Sequence, residues 1–480
     1  MHAAGNMISL KLIIEEPDIV EKINSHLAPQ IRVWGIERTT GSFSCYQACD
    51  SRWYEYLIPS NAFLPPHPSS HLAKELEKAA DESGDREGYE SRQEEVKDFW
   101  AEVEANDIKP LLDGLDADVR SLVEKALYSD YAKIEHALTE GTEGTDAHKP
   151  VESQQEPEYD VSKDGLVDSV MDLPKQTTKS SETELPSGAE GGAETDEPSS
   201  ALHVEEQTKD VENDGVSKAI DEAGGDHSHL TKEQRDGLAT AIRALRSAYE
   251  NAKRRWRIPT SRVARIQAAL DLYKGTCNFH NYTVAKAFRD PSAKRQIKSF
   301  LVNTEPILIN GTEWLSLKVH GQSFMMHQIR KMVAMATLVV RCGTPVSRIS
   351  ESYQDNKVSI PKAPGLGLLL ERPVFDSYNN LHAVKHGREQ LNFGEFEDKI
   401  EAFKKEYIYE RIFEEEKTEN TFQQFFNHVD GFKEDHFLWV TSLGLQAVKS
   451  FAAKKANAVA QNAAFDADSE DDNADKDNEG

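Results

Sequence analysis

Hydrophobic residues recur at helical spacing in the second half of the chain. Between residues 238 and 256 they are separated by four, three, four, three and four positions. This spacing puts them on one face of an amphipathic helix, which Pro259 should end. Ser261 is expected to cap a second helix, with Gly275 at its C-terminal end. Two successive helices are therefore predicted between 238 and 275.

A third apolar stripe predicts a helix that ends before Gly343. Its members are Met325, Ile329, Val333, Ala336 and Val340. A charged helix is predicted over 395–416, and weaker helical periodicity runs from 115 to 134. The second half of the chain is thus expected to be rich in helix.

Strand patterns dominate the N-terminal part of the chain. Residues 7–14, 31–38 and 53–58 are rich in β-branched and aromatic residues, and Asp18 is expected to cap a short helix that runs to Leu27. Further along, Asn310-Gly311 separates two apolar runs, which is a strong signal for a β-hairpin. Mixed strands and helices around one core predict an α/β or α+β catalytic domain.

Composition changes along the chain divide it into six segments. Residues 141–230 are poor in apolar residues and rich in Glu, Asp, Ser, Thr and Gly, so they are expected to be disordered. The segments are 1–70 (incomplete first part of the catalytic domain), 71–140 (charged, partly helical insertion), 141–230 (disordered acidic insertion), 231–385 (second part of the domain), 386–462 (helical extension) and 463–480 (acidic disordered tail).

The net charge of −27 is unevenly distributed. Residues 141–230 carry 6 basic and 23 acidic side chains, whereas 231–375 carry 24 basic and 10 acidic ones. Binding to phosphates depends on the local positive surface rather than on the total charge of the chain. The overall acidity therefore does not exclude nucleic acid, and the basic body is a candidate RNA-binding surface.

Two residues stand out as candidates for chemistry. Tyr54 lies in the aromatic run R-W-Y-E-Y at 52–56, and alternation along a strand places Tyr54 and Tyr56 on one face. Its ring is either an ordinary aromatic residue of a sheet or a platform that stacks on an extruded base. Arg330 ends the run F-M-M-H-Q-I-R at 324–330, off the buried stripe of its helix. A solvated arginine is the ordinary alternative for that position.

Three further segments complete the pattern. The chain opens with M-H-A-A-G-N, residues 275–283 are G-T-C-N-F-H-N-Y-T, and residues 363–368 are A-P-G-L-G-L. Together with the runs at 52–56 and 324–330, these segments resemble the TruA/Pus1 family of tRNA pseudouridine synthases, in its eukaryotic form. The resemblance covers about 1–66 and 231–385.

This resemblance implies a mixed, mainly antiparallel sheet flanked by helices. It also implies isomerisation of uridine to pseudouridine in RNA, mainly tRNA and also other structured RNA, without cofactor or metal. Tyr54 falls on the family's active-site tyrosine, Arg330 on the basic residue that pairs with the catalytic carboxylate, and Leu368 on the apolar wall of the uracil pocket. A monomer without membrane attachment is implied, in the nucleus first and the mitochondrion second.

In the family, V-H-A-A-G-N follows an R-T-D-x-G run whose aspartate does the chemistry. Met1 stands at the valine position, so this sequence contains no counterpart of that aspartate. The expectation is therefore a truncated N-terminus and a chain that is inactive as given. The alternative is an RNA-binding or RNA-chaperoning protein that keeps the uracil pocket without the reaction.

Other residues are weaker candidates. His2 is expected to be frayed, and Asp50 is expected to be a turn residue rather than a nucleophile. Cys45 and Cys49 have a C-x-x-x-C spacing without a second pair, so free thiols are favoured over zinc. Phe279 is expected in the core.

Overall fold

The computed structural model describes residues 2–13, 17–116, 119–120, 123, 232–284, 286–431 and 435–448. The chain forms two units, Met1–Ala132 with Thr240–Gly480 and, separately, Lys133–Ala239. Of the second unit only 232–239, the beginning of a helix, is described. The predicted insertion at 141–230, the tail at 463–480 and most of the periodic stretch at 115–134 lie outside the described residues.

The described strands form one sheet. They are β1 (His2–Ala3), β2 (Ser51–Pro59), β3 (Gly275–Asn278), β4 (Lys294–Val302), β5 (Ile307–Ile309), β6 (Thr312–Gly321) and β7 (Leu368–Val374). Their order is β1-β7-β2-β6-β4-β3, and β5 pairs with β6. Of these pairs β1–β7 is parallel and the others are antiparallel. The predicted mixed, mainly antiparallel sheet is confirmed.

The described helices flank this sheet. They are α1 (Ile19–Ser25), α2 (His71–Ser83), α3 (Arg86–Ser91), α4 (Phe99–Val103), α5 (Lys109–Asp113), α6 (Lys232–Arg255), α7 (Thr260–Asp271), α8 (Gln328–Arg341), α9 (Arg348–Glu351), α10 (Val384–His386), α11 (Glu397–Phe403), α12 (Glu410–Glu419) and α13 (Thr421–Gly431). Wider π-type turns at Glu104–Ile108, Tyr378–Ala383 and Lys404–Tyr409 join or precede some of them, and short 3₁₀ turns cover Ser60–Phe63, Glu94–Val96, His280–Tyr282, Pro291–Ala293, Phe393–Phe396 and Asp435–Val440. In the part of the chain that is described, no helix is long and apolar enough to cross a membrane.

The two faces of the sheet carry different helices. Tyr56 points to the face that packs on α7 and α8, where its side chain is completely buried. Its neighbour Glu55 points to the opposite face and meets Lys404, between α11 and α12, at 3.1 Å. Strand β2 therefore lies in the middle of a three-layer arrangement and is held from both sides.

The helices predicted from periodicity are confirmed, and several of their boundaries differ. α6 covers the first apolar stripe except Trp256, which follows its end, and α8 covers the third except Met325, which precedes its start. The charged segment predicted over 395–416 corresponds to α11, a π-type turn and α12. The prediction that Ser261 caps α7 is wrong, because Pro259 occupies the cap position and the helix starts at Thr260. Gly275 has φ +101° and begins β3 rather than ending the helix.

The hairpin signal is also confirmed. Asn310 and Gly311 connect β5 to β6 with φ angles of 50° and 79°. Both values lie in the left-handed region, which asparagine and glycine tolerate best and which matches the twist of a two-residue hairpin. The local sequence is sufficient to specify this turn.

The strands predicted over 7–14 and 31–38 are wrong as far as these residues are described, since 7–13 and 31–38 form no strand. In the second segment the Asn24 side chain bonds both backbone groups of Val33, at 2.8 and 2.9 Å. These two bonds satisfy the backbone groups of Val33 that a neighbouring strand would otherwise pair with. In the first segment Ile8 is 72% exposed. A β-rich composition forms a strand only when a partner strand lies alongside.

Two expectations near the N-terminus differ from the structure. Asp18 precedes α1, as predicted, but its side chain makes no capping hydrogen bond. His2 is not frayed, since it pairs with Leu369 in the parallel β1–β7 ladder, and the next backbone bond runs from Ala4 to Leu370 at 2.8 Å. Residues 2–4, the first part of the H-A-A-G-N segment, are therefore bonded to the sheet.

Candidate active site

Tyr54 lies near the middle of β2, opposite Val319 on one side and Leu370 on the other. Its ring is half-buried and meets Phe324 edge-on, with 5.3 Å between the ring centroids. Its hydroxyl makes no hydrogen bond to any described residue. Burial raises the pKa of Tyr54, against the opposing charge of Arg52. The phenol therefore stays protonated at neutral pH and is available as a hydrogen-bond donor.

Tyr56 points to the same face of β2 but has a different environment. It is completely buried, and its hydroxyl donates to the Pro364 carbonyl oxygen at 2.6 Å. Burial raises the pKa of Tyr56 far above its usual range, although the charge of Arg330 acts in the opposite direction. Of the two tyrosines, Tyr56 supports the loop at 363–367, and Tyr54 keeps its polar end free.

Arg330 lies in the first turn of α8 and is fixed against the same loop. Its Nε donates to the Ala363 carbonyl oxygen at 2.6 Å, and its own carbonyl oxygen accepts from the Ala363 amide at 3.3 Å. The guanidinium covers Gly365, where a Cβ atom would lie 3.7 Å from the Arg330 Cζ. No described carboxylate pairs with Arg330, so both terminal nitrogens can bind an additional anionic group.

The loop at 363–367 joins these residues to β2. The Gly367 carbonyl oxygen accepts a hydrogen bond from the Leu57 amide at 2.9 Å. A Cβ atom at Gly367 would lie 2.1 Å from the Leu57 carbonyl oxygen, so only glycine allows this approach. Leu368 then begins β7 opposite Tyr56, half-buried. The loop thus connects Arg330 to Tyr56 and Leu57 of β2, and Tyr54 and Leu368, which were also singled out from the sequence, lie on the Tyr56 face of the sheet.

The region that holds this loop and α8 matches a known protein family. Residues 269–376 match the family model described as tRNA pseudouridine synthase. Over 460 residues the chain is 35% identical to tRNA pseudouridine synthase 1 of Yarrowia lipolytica, covering 95% of this chain and 68% of that protein. It is 37% identical to the Schizosaccharomyces pombe protein of the same name, covering 93% and 74%. The chain belongs to the tRNA pseudouridine synthase family.

The family is of the TruA type, as the motifs predicted, and its members are isomerases. Other relatives are longer than this chain, which spans 62% of the Eremothecium gossypii protein and 56% of the Candida albicans one. The Mus musculus pseudouridylate synthase 1 homolog is 42% identical over 172 residues, or 36% of this chain. Arg330 and Leu368 lie inside the matched family model, and Tyr54 lies outside it.

A basic group beside Arg330 was missed in the sequence analysis. Lys331 Nζ donates to the carbonyl oxygens of Asn281 and Thr283, each at 3.2 Å. Burial, together with the nearby charges of Lys357 and Lys362, lowers the pKa of Lys331 to about 8. Three lysines thus lie close together near the start of α8. The adjacent Arg330-Lys331 pair was the available signal, but the lysines at 357 and 362 come close only in the fold.

A second missed group lies at the beginning of β2, beside the site. Trp53 stacks on His320 with 4.3 Å between ring centroids. The Ser51 hydroxyl lies 2.8 Å from His320 Nε2 and accepts from Lys298 Nζ at 3.2 Å. Burial, and next the charge of Lys298, lower the pKa of His320 to about 4. His320 is therefore neutral at physiological pH and serves to hold Trp53, which a strand pattern alone does not reveal.

The remaining candidates have structural environments. Asp50 accepts from the Ser377 amide at 2.8 Å and from its hydroxyl at 2.6 Å, so its carboxylate makes a long-range structural contact rather than the predicted turn. Phe279 is completely buried, as predicted. Cys45 and Cys49 pack against a small apolar cluster around Phe375 and are free thiols. Within the described residues no group of three or more metal-binding side chains could hold an ion.

Proposed function

We propose that the protein converts uridine to pseudouridine in tRNA, with Tyr54 against the uracil ring and Arg330 beside the reacting carboxylate. The observation that carries this proposal is that, within the described part of the chain, Tyr54 has an unbonded, half-buried phenol on the same face of β2 as Tyr56, whose hydroxyl bonds the loop that holds the Arg330 guanidinium with its terminal nitrogens unpaired. A ring on an aromatic platform is the usual way to hold an extruded base. Leu368 supplies the apolar side of the same pocket.

The reaction exchanges one glycosidic bond for another. The bond between the sugar C1′ and uracil N1 breaks, the ring rotates, and C1′ is joined to carbon five. The hydrogen at carbon five leaves as a proton, and N1 gains one, so atoms and charge balance without a redox cofactor. In the family an aspartate starts this sequence by attacking the sugar or removing a sugar proton. In the given sequence the H-A-A-G-N run that follows this aspartate in the family begins at His2.

Each of these side chains has a defined role in the proposed reaction or in tRNA binding. An arginine next to a carboxylate lowers the carboxylate pKa and fixes its direction, and the terminal nitrogens of Arg330 suit this. The phenol of Tyr54 lies where it can hold the base and help to move the proton from carbon five. The basic surface of 231–375 and Lys331 would hold the tRNA backbone, which is recognised by phosphate and shape.

The affinity for tRNA should depend on pH through Lys331. The pKa of its ammonium group is about 8, so its charge is largely present at about pH 7 and largely lost at about pH 9. We expect tRNA binding to weaken several-fold over this interval at constant salt, as measured by filter binding. The Lys331→Arg variant stays charged and should lose most of this dependence. An equal pH dependence in both proteins would rule out Lys331 as the group responsible.

The experiment that tests the function is the release of tritium from tRNA labelled at carbon five of uridine, since isomerisation frees that hydrogen. Two proteins are compared: residues 1–480 as they stand, and the same chain with valine for Met1 behind an Arg-Thr-Asp-x-Gly run. We expect release from the second and none from the first. If both bind tRNA and neither releases tritium, the enzymatic proposal fails and the RNA-binding alternative is supported.

A further inference from the structure

A cavity of about 360 Å³ lies at the far end of β2 from the candidate active site. Pro59 and Arg341 border it. Pro59 is five residues beyond Tyr54 in the strand and Arg341 is eleven residues beyond Arg330 in α8. Strand and helix rises place the cavity about 16 to 17 Å from the active site. It is therefore a separate site, with a volume suited to a small ligand.

Aromatic side chains form the walls of the cavity. On one side Trp100 contacts Tyr249, with ring centroids 6.3 Å apart, and its Nε1 donates to the Pro65 carbonyl oxygen at 3.1 Å. On another side Trp314 meets Phe413, with ring centroids 4.8 Å apart. All four rings are more than nine-tenths buried. These walls suit a flat, weakly polar ring system.

Cationic side chains from three helices surround the opening. They are Lys74 on α2, Lys253 and Arg254 on α6, and Lys417 on α12. Lys253 Nζ lies 5.7 Å from the centre of the Trp100 ring. The side chains of Arg254 and Lys417 are 37% and 57% exposed, so they can reach a ligand at the opening. Their acidic neighbours lie 3.5 Å or more away, which is a weak pairing.

Below the opening, acidic groups are already engaged by the protein. Asp430 forms an ion pair with Arg341. The Glu416 carboxylate accepts from the Phe422 amide at the start of α13, at 3.1 and 3.2 Å. Burial raises the pKa of Glu416 to about 7 although these amide bonds oppose it. Glu250, which lies 3.5 Å from Arg246 and 3.9 Å from Arg254, is the further carboxylate at the cavity. Cations still outnumber carboxylates among the bordering side chains, with Lys74, Lys253, Arg254, Arg341 and Lys417 against Glu250, Glu416 and Asp430.

We propose that this cavity is a second nucleotide-binding site, which stacks a base between its aromatic walls and holds the attached phosphate at Arg254 and Lys417. A flat ring joined to an anion is the ligand chemistry that matches buried aromatic walls below a cationic opening. The nucleotide comes either from an RNA strand that also enters the active site, which rests on the proposed function, or from a free mononucleotide. Both sources share this chemistry.

The first part of the test uses adenosine 5′-monophosphate as the probe and tryptophan fluorescence as the signal, since Trp100 and Trp314 border the cavity. We expect saturable quenching with the full chain. Ribose 5-phosphate lacks the base and should bind at least about fivefold more weakly, because stacking on aromatic side chains contributes that much or more. Binding of this probe requires no isomerase activity, so its outcome is independent of the tritium assay.

The second part compares two double variants with the same change of charge. Arg254→Ala with Lys417→Ala removes two cations from the opening, and Arg255→Ala with Lys405→Ala removes two exposed cations of the same helical regions that do not border the cavity. We expect the first variant to bind the mononucleotide about tenfold more weakly than the second. Equal thermal unfolding of the two would confirm that both remain folded.

Measuring the tRNA affinity of the same two double variants distinguishes an RNA strand from a free mononucleotide as the source of the bound nucleotide. If an RNA nucleotide occupies the cavity, the first double variant should also bind tRNA more weakly, and its slope of log affinity against log salt should decrease by about one to two. A loss confined to the mononucleotide would assign the site to a free nucleotide. Equal affinities of the two double variants for both probes would overturn the proposal, whether or not the protein releases tritium from tRNA.

Discussion

Replacing Tyr54 by phenylalanine should lower kcat for pseudouridine formation by about two to four orders of magnitude, the usual contribution of a general acid–base group. The ring remains and only the hydroxyl is lost, so we expect little change in KM for tRNA. Tyr54→Ala should in addition weaken base binding by about 1–3 kcal/mol, because the stacking platform is removed. Both effects are measured by tritium release from the chain that carries the Arg-Thr-Asp-x-Gly run.

Tyr56→Phe is the matched control on the same strand. It removes a buried hydroxyl that donates to the Pro364 carbonyl oxygen, so it should cost about 1 kcal/mol of unfolding free energy and leave kcat within a few-fold. The two tyrosines point to the same face, and only their environments differ. A Tyr56→Phe variant that lost as much activity as Tyr54→Phe, or a fully active Tyr54→Phe variant, would contradict the assignment of Tyr54.

The second large effect is expected at Lys404, which is buried on the other side of β2. Its Nζ lies 3.1 Å from Glu55 and 2.5 Å from Glu371, and the Tyr409 hydroxyl donates to Glu55 at 2.7 Å. Ser316 donates to the same carboxylate. Lys404→Met should cost about 3–5 kcal/mol of unfolding free energy, because it leaves the buried Glu55 carboxylate without its cation and the largely buried Glu371 with only the more distant Lys318. Urea unfolding measures this loss.

Lys405→Met is the control for this variant. Lys405 lies at the adjacent position and is exposed, so its replacement should change the unfolding free energy by about 0.5 kcal/mol or less. A loss of similar size in both variants would show that the buried ion pairs do not account for the effect. A loss below about 1 kcal/mol at Lys404 would show that the two carboxylates are accommodated in another way.

The same cluster has a defined dependence on pH. Burial opposes ionisation of Glu55, but Lys404 outweighs it and the pKa of Glu55 falls to about 2. A carboxyl group whose pKa is lowered by folding contributes stability above its unfolded pKa, about 4.3, and loses it as the pH falls toward 2. Lys404→Met should reduce this acid-dependent part of the stability. The effect is structural, since Glu55 lies on the face opposite Tyr54.

Some elements of this fold follow from local sequence. The helices α6 and α8 need only their apolar stripes and the residues that end them, and the Asn310-Gly311 hairpin needs only two residues that tolerate positive φ. The strands predicted over 7–14 and 31–38 failed because a strand requires a neighbour. At Val33 the Asn24 side chain takes that place, which no periodicity reveals.

The sequence by itself determined the family of this protein and indicated Tyr54, Arg330 and Leu368 as its candidate site residues, because these lie in short contiguous motifs. Only the tertiary structure decided which side chains surround and bond each of these residues. In the fold the Tyr56 hydroxyl bonds Pro364 and the Tyr54 hydroxyl makes no hydrogen bond to a described residue. Lys404 lies on the opposite face of the same strand. Such contacts join residues far apart in the chain, and their energies depend on burial, which the order of residues alone does not specify.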